Sequence, residues 1–419
     1  MLQSLPESLR RVAERRRFGV NPNLAVIQEL LCALGDPQKA FPAIHLAGTN
    51  GKGSTAAMLA AALRADGFRV GLYTSPHLCR FNERIMVGGV AIDDASLEAL
   101  AGEVLGASPE ATFFEVATAM AMKYFARTKV DVAVIETGLG GRWDATNVLN
   151  TVVSVITSIA LDHVGVLGTT LPRIAAEKAG IIKARTPVVS APQQADALAV
   201  LQQRAAEQEA PFLLEGRDFT WESTPEGGNF QQGPRGLESV NVGLRGPHQG
   251  QNAALALATL GVLEQLGWAT SPAAARRGVG DPQWPGRLEQ IDQYLLDCAH
   301  NPAAAAALSH VLAADDRPTT LVFGALADKH AHEMLSCLAA HVEDIVLCAP
   351  SGERAGDPAL LAQRWPQARI AASLREALHI TSAAERVLIT GSCYLVGEAR
   401  ALLLAQDLDG LADPAPGDH

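Results

Sequence analysis

Ala43-Ile44-His45-Leu46-Ala47-Gly48-Thr49-Asn50-Gly51-Lys52-Gly53-Ser54-Thr55 decides the fold. An apolar run enters this stretch and reads as a buried parallel strand. A helix-like run, Thr55 to Arg64, leaves it. Between them the glycines let the backbone turn tightly and bring its N–H groups close to a ligand. The helix N-terminus adds partial positive charge and Lys52 adds a full one, which suits a nucleotide triphosphate. The Ser54 hydroxyl falls near the phosphates or a magnesium ion. The common phosphate loop is Gly-x-x-x-x-Gly-Lys-Ser/Thr, but Leu46 stands five residues before Gly51. The loop here is the shorter Gly48-x-x-Gly51-Lys52-Gly53-Ser54. The plainer reading, a turn with a solvated lysine, is outweighed by the order strand, loop, helix.

Working outward, 419 residues are long for one core and predict two or three domains. Hydrophobic content of 48% and charged content of 19% describe a soluble globular protein. A net charge of −11 argues against broad nucleic-acid or anionic-membrane binding, though not against an anionic substrate met by local cations. Six scattered cysteines without a Cys-x-x-Cys pair read as buried free thiols in a reducing compartment. The N-terminus is basic and helical rather than a signal peptide, and no long uncharged span suggests a membrane helix. A cytoplasmic protein acting as a monomer is expected.

Amphipathic helices are predicted over 4–17 and Asn23–Leu34, with a turn at Phe18–Pro22. Strands are predicted at Arg69–Tyr73, Val130–Glu136, Val152–Ile159 and Thr186–Ser190, a hairpin at Val87–Ile92, and helices at Thr112–Arg127, Leu171–Ala179, Asp196–Gln208 and Gln251–Leu266. Residues 211–245 read as small strands or loops. Gly280 to Arg287 is the linker, and beyond it strands and helices alternate again. The fold class is α/β: a P-loop-type, mainly parallel-sheet ATPase domain at 1–282, with its N-terminal helical segment, then a smaller Rossmann-like α/β domain at 283–419. The tail after Leu408 reads as loose.

Ser54, Ser75, Glu136 and His163 each follow a predicted strand, and Lys178 lies on the next helix. Singly they have bland readings: a cap, a strand end, a structural histidine, a surface ion pair. Together they share one edge of one sheet, where ligands of open α/β sheets bind. Serine oxygen and carboxylate suit magnesium; imidazole is a less usual ligand. Gly138-Leu139-Gly140-Gly141 is no dinucleotide fingerprint, since Trp143 stands where a third glycine is needed. It reads as a tight turn that leaves room for ligand against the backbone.

These motifs, with Tyr73–Leu78, Glu136–Asn147, Ser158–His163, Glu177–Ile181, His248–Asn252, Pro285–Arg287 and Asp297–Pro302, resemble the folylpolyglutamate synthases, relatives of the cell-wall Mur ligases. The resemblance runs in family order from about residue 18 to 395. It implies a γ-linked amide between a folate (or dihydropteroate) carboxylate and the amino group of L-glutamate, with ATP becoming ADP and phosphate. By resemblance, Asn50, Gly51, Lys52, Gly53 and Ser54 hold the triphosphate, and Asn252, Arg287 and Asp297 contact the nucleotide. Ser75, Glu136 and His163 match Mg2+ ligands, and Lys178 matches a lysine carrying a carbamate, which turns a cation into an anionic ligand. His300 and Ser392 match positions handling glutamate. Phe114, Trp143, Asp144 and Ala145 match contacts on the pterin side. Phe18-Gly-Val-Asn-Pro-Asn-Leu24 resembles the form in glutamate-chain extenders more than in members that also make dihydrofolate.

The implied chemistry is demanding, because a carboxylate must approach the γ-phosphate. Like unit charges at 4 Å repel by roughly 4 kcal/mol at an effective dielectric near 20. Lys52, Arg287 and magnesium are the groups to neutralise that approach. Glutamate must then attack as a neutral amine, with His300 as orienter or base. A Mur-type ligase on a nucleotide-sugar peptide is a second reading; it calls for a separate N-terminal domain, and only about 40 residues precede the loop. A nucleotide-gated binding protein is a third, for which the set Lys52, Glu136, His163, Lys178 and Asp297 would be superfluous.

Overall fold

The computed structural model describes residues 7–15, 23–108 and 110–406. The expected turn at 18–22, the outer parts of the first helix and the tail after Leu408 lie outside the described residues. Two sheets organise the rest. The first has eight strands: β1 (Ala43–Ala47), β2 (Val70–Tyr73), β3 (Ile85–Val87), β4 (Val90–Ala91), β5 (Val132–Glu136), β6 (Thr151–Ile156), β7 (Val188–Ser190) and β8 (Phe212–Leu214). Their order is β4-β3-β2-β5-β1-β6-β7-β8, with β1 between β5 and β6 and parallel to both. Only the β3–β4 hairpin at one edge runs antiparallel.

All five residues of β1 and of β5 are buried, as expected for strands covered on both faces. Three apolar clusters do the covering, one of them around Ala47, Ile156 and Val188; the other two are larger. One gathers Phe81, Phe113, Met120 and Phe125; the other gathers Met58, Leu59, Leu255 and Leu263 from the helices Lys52–Ala65 and His248–Gln265. The helix Asp94–Ala107 was not anticipated from the sequence; Asp93 caps it by accepting from the Ser96 N–H at 2.9 Å. Residues 211–245 divide between β8, which extends the main sheet, and a three-stranded antiparallel meander, β9 (Thr220–Thr224), β10 (Gly227–Gln232) and β11 (Arg235–Val240).

The chain crosses once, through residues 281–287, into the second sheet. Its strands are β12 (Glu289–Ile291), β13 (Tyr294–Leu296), β14 (Thr320–Phe323), β15 (Asp344–Cys348), β16 (Arg369–Ala371) and β17 (Val387–Thr390), ordered β12-β13-β17-β14-β15-β16. All but β12 are parallel, and each face has its own apolar cluster. The mixed α/β architecture expected from the sequence is present in both units. All six cysteines are free; four are buried, Cys32 is exposed and Cys337 is half-buried, so burial is not general. Among the described residues no helix is long and apolar enough to cross a membrane.

Candidate active site

β1 ends at Ala47, and the loop turns at Gly51, whose φ of 90° favours glycine. A β-carbon on Gly51 would lie 2.3 Å from the Asn252 amide oxygen. The helix begins at Lys52, three residues earlier than the sequence suggested, so Lys52, Gly53 and Ser54 form its first turn. The Lys52 ammonium folds back to donate to the carbonyls of Gly48 (3.2 Å) and Thr49 (3.3 Å), and lies 3.7 Å from a Glu136 carboxylate oxygen.

Glu136 is buried at the end of β5 and accepts from the Ser75 backbone N–H at 3.3 Å. Burial raises its carboxyl above the ordinary range, and Lys52 opposes that rise. Lys178 is buried at the end of the helix Leu171–Lys178 and donates to the Gly48 carbonyl at 2.7 Å. Burial, then the neighbouring Lys52 charge, brings its ammonium down to about 7. Near neutral pH this amine is therefore partly unprotonated, the form that can capture carbon dioxide.

Gly138 and Gly140 line the cleft as expected of the turn, whereas Gly141 serves packing. A β-carbon there would meet the carbonyls of Glu177 and Lys178 at 2.9 Å, and the next N–H, of Arg142, donates to Glu177 at 2.8 Å. The glycine admits the end of the helix that carries Lys178, rather than a ligand. Asp144 is likewise occupied by its own turn. Its oxygens accept from the N–H groups of Leu139 (2.9 Å) and Thr146 (3.0 Å), and from the Thr146 hydroxyl. Phe114 is placed by a capping box, in which Thr112 and Glu115 exchange hydrogen bonds across the helix start, and it meets Phe113 edge-on at 5.5 Å.

The second unit brings Arg287, Asp297, His300 and Ser392 to the same place. Asp297 accepts from the backbone N–H groups of Leu288 (3.1 Å) and Ala299 (2.9 Å); burial raises its carboxyl against the pull of Arg287 and His248. The His300 Nδ1 lies 2.9 Å from the Cys298 carbonyl and its Nε2 lies 3.6 Å from Asp162. Burial alone would lower this imidazole, but Asp162 and the Cys393 sulfur outweigh it and hold it up at about 9. The Ser392 hydroxyl accepts from the Tyr394 N–H at 3.1 Å, capping the helix Cys393–Leu403.

Every residue picked out from the sequence lines one cavity of about 470 Å³ between the two units. Several helix N-termini open on it, starting at Lys52, His248, Pro302 and Cys393, so partial positive charge gathers at one point. Among the described residues no three His, Cys, Asp or Glu side chains converge as a metal cluster. Glu136, His163, Ser75 and Lys178 all line this cavity. His163 is suitably neutral: burial, then Lys329, lowers it to about 3, and its Nδ1 is buried without a hydrogen-bond partner. Sequence reading passed over Asp162, Asn301, Lys329 and Arg354, which line the same cavity or bridge it. Asp162 and Asn301 adjoin residues it did single out. Lys329 and Arg354 lie in the loops after β14 and β15, at the same sheet edge.

A phosphate loop on one α/β unit, facing a second parallel sheet across a polar cleft, defines a two-domain ligase of the Mur type. Residues 46–260 match the Mur ligase middle domain, and residues 286–393 match the Mur ligase glutamate ligase domain. Within that class the chain belongs to the dihydrofolate synthase/folylpolyglutamate synthase family. It is 36% identical over 429 residues to the dihydrofolate synthase/folylpolyglutamate synthase of Bacillus subtilis, covering 93% of this chain and 96% of that one. The folylpolyglutamate synthase of Mycobacterium tuberculosis complexed with ADP superposes with a TM-score of 0.88 at 34% identity, covering 96% of this chain and 98% of that one. The bifunctional Yersinia pestis enzyme complexed with AMPPNP and Mn superposes with a TM-score of 0.83 at 33% identity, covering 91% and 93%.

Proposed function

We propose that this chain is an ATP-dependent folylpolyglutamate synthase, joining the terminal carboxylate of a folate to the amino group of L-glutamate through an acyl phosphate. The observation that carries this reading is the shared cavity. The phosphate loop, the buried Glu136 and Lys178, and the cations of the second unit all open into one space. The activities after which these relatives are named, and their ADP or AMPPNP complexes, support the same chemistry.

Asn50, Gly51, Gly53 and Ser54 cradle the triphosphate, with Asn252, Arg287 and Asp297 completing the nucleotide contacts. Lys52 and Arg287 offset the repulsion between γ-phosphate and substrate carboxylate, acting where charge is most concentrated. Ser75, Glu136 and His163 would hold magnesium, with Lys178 as a carbamate; the ion supplies Lewis-acid neutralisation of the transferred phosphoryl group. The manganese in the Yersinia relative and the depressed Lys178 amine support that assignment. Phe114, Trp143 and Ala145 offer the pterin side apolar surface, and Asp144 keeps their turn in shape. His300 orients the incoming glutamate as a hydrogen-bonding cation, its imidazole being held protonated beside Asp162; Ser392 stands beside it. The domain boundary lies at 282/283, supported by the single crossing of the chain. A cavity completed within one chain supports action as a monomer, and free thiols support a reducing cytoplasm.

The test incubates the protein with ATP, magnesium and glutamate, adding tetrahydrofolate or dihydropteroate in parallel, and weighs the products. Phosphate release that requires both pterin and glutamate, with a mass gain of one glutamyl residue, is expected in the tetrahydrofolate arm. Product from dihydropteroate would add dihydrofolate synthase activity. No product with either pterin would overturn the reading.

A further inference from the structure

Asp162 stands in the first unit, after β6, yet three side chains of the second unit converge on it. The Lys329 ammonium lies 2.6 Å from its Oδ1; the Asn301 amide donates to its Oδ2 at 3.1 Å; the His300 Nε2 lies 3.6 Å from that same Oδ2. The carboxylate is held still by its own chain, since Oδ1 also accepts from the His163 N–H at 2.8 Å. Lys329 is equally fixed: its N–H donates to Leu326, and the neighbouring Ala327 N–H donates to Arg354. The Lys329 ammonium also reaches within 3.2 Å of the His163 Nε2. Both partners of the ion pair are more than nine-tenths buried.

A buried ion pair is weak ground for stability, because the desolvation of both charges offsets their attraction. Its better use is to fix one arrangement among several. Asn301 adds to that use: its amide exchanges hydrogen bonds with the Asn50 amide in the phosphate loop, at 2.9 and 3.3 Å.

We propose that Asp162 is the post on which the second unit docks and that Lys329 is a positioning residue for the ligation step. Their pair sets the angle at which His300 faces the phosphate loop, so closing the cleft and presenting the imidazole that orients glutamate are one event. This rests on the reading of His300 given above. An acyl phosphate formed under a mis-seated second unit is open to water. The consequence is hydrolysis: ATP is spent and no amide forms.

The experiment compares Lys329→Met, Lys329→Arg, Asp162→Asn and the Asp162→Asn/Lys329→Met double variant, measuring phosphate released per amide formed alongside KM for ATP and folate. Lys329→Met is expected to lose about 100-fold in kcat, the scale of a misplaced reacting group. Its KM for ATP and folate stays near the parent value, and its phosphate-to-amide ratio rises well above one. Lys329→Arg restores the ratio toward one, and the double variant is no worse than the more damaged single. A ratio of one in Lys329→Met, or losses that multiply in the double variant, would overturn the proposal. Tryptic cleavage at Arg287 tests docking without catalysis. Faster cutting in Lys329→Met and Asp162→Asn than in the parent is expected even if the parent proves inactive with every pterin. Unchanged cutting overturns the docking post whatever becomes of the functional reading.

Discussion

The Lys178 amine donates to the Gly48 carbonyl at 2.7 Å across 130 residues of sequence, tying the end of one helix to the mouth of the phosphate loop. A buried lysine in that position has one direction in which its charge can go. Folding lowers the ammonium from 10.5 to about 7, so between those values the unfolded chain holds more protons and stability rises with pH.

Lys178→Met therefore stabilises the fold in carbonate-free buffer. Its advantage over the parent is full below pH 7 and shrinks by about 1.4 kcal/mol per pH unit as pH rises from 7 toward 10. Denaturant titrations at pH 6.5, 8 and 9.5 measure it, and a constant gap would contradict it. Under the carbamate proposed for Lys178, activity is expected to move the opposite way: Lys178→Met should be inactive, and bicarbonate should raise the parent's turnover.

Gly51→Ala is expected to raise the KM for ATP at least tenfold and to cost about 1–2 kcal/mol of stability from its left-handed backbone. The added carbon also overlaps the Asn252 amide. Adding Asn252→Ala removes the overlap and leaves the backbone cost, so stability recovers only in part.

Lys52→Met is expected to lower kcat by about 100- to 1,000-fold, the usual loss for a group that meets developing charge. It also leaves Glu136 buried without its cation. Glu136→Gln in that background should regain stability in denaturant titrations while activity stays low. A stability loss that Gln does not relieve would show that Glu136 was never paired with Lys52.

Phe114→Ala is expected to raise folate KM about tenfold while ATP KM and thermal midpoint change little, because Phe114 is only partly buried whereas Phe113 is buried in the core. Phe113→Ala should instead cost about 3–5 kcal/mol of stability.

The architecture was legible where a strand led into chemistry: β1 into the phosphate loop, β5 into Glu136, β6 toward His163. A buried parallel strand has no polar alternation to mislead, and its end marks the ligand edge. Less was legible where one residue serves a local need. Gly141 looked like a place for ligand because spacing cannot reveal that a helix end, 36 residues later, arrives at 2.9 Å. Asp144 lines the cavity, but no sequence pattern shows that its oxygens also accept from the Leu139 and Thr146 N–H groups of its own turn. Lys329 was missed because its meaning depends on Asp162, 167 residues away, and no local pattern carries that pairing.

The single crossing at 281–287 turns the meeting of the two units into an event within one chain. Short tethers of that kind hold partners at effective concentrations of about millimolar. The buried Asp162–Lys329 pair and the Asn50–Asn301 exchange then act between surfaces already held near one another, so neither has to supply the affinity of a separate partner.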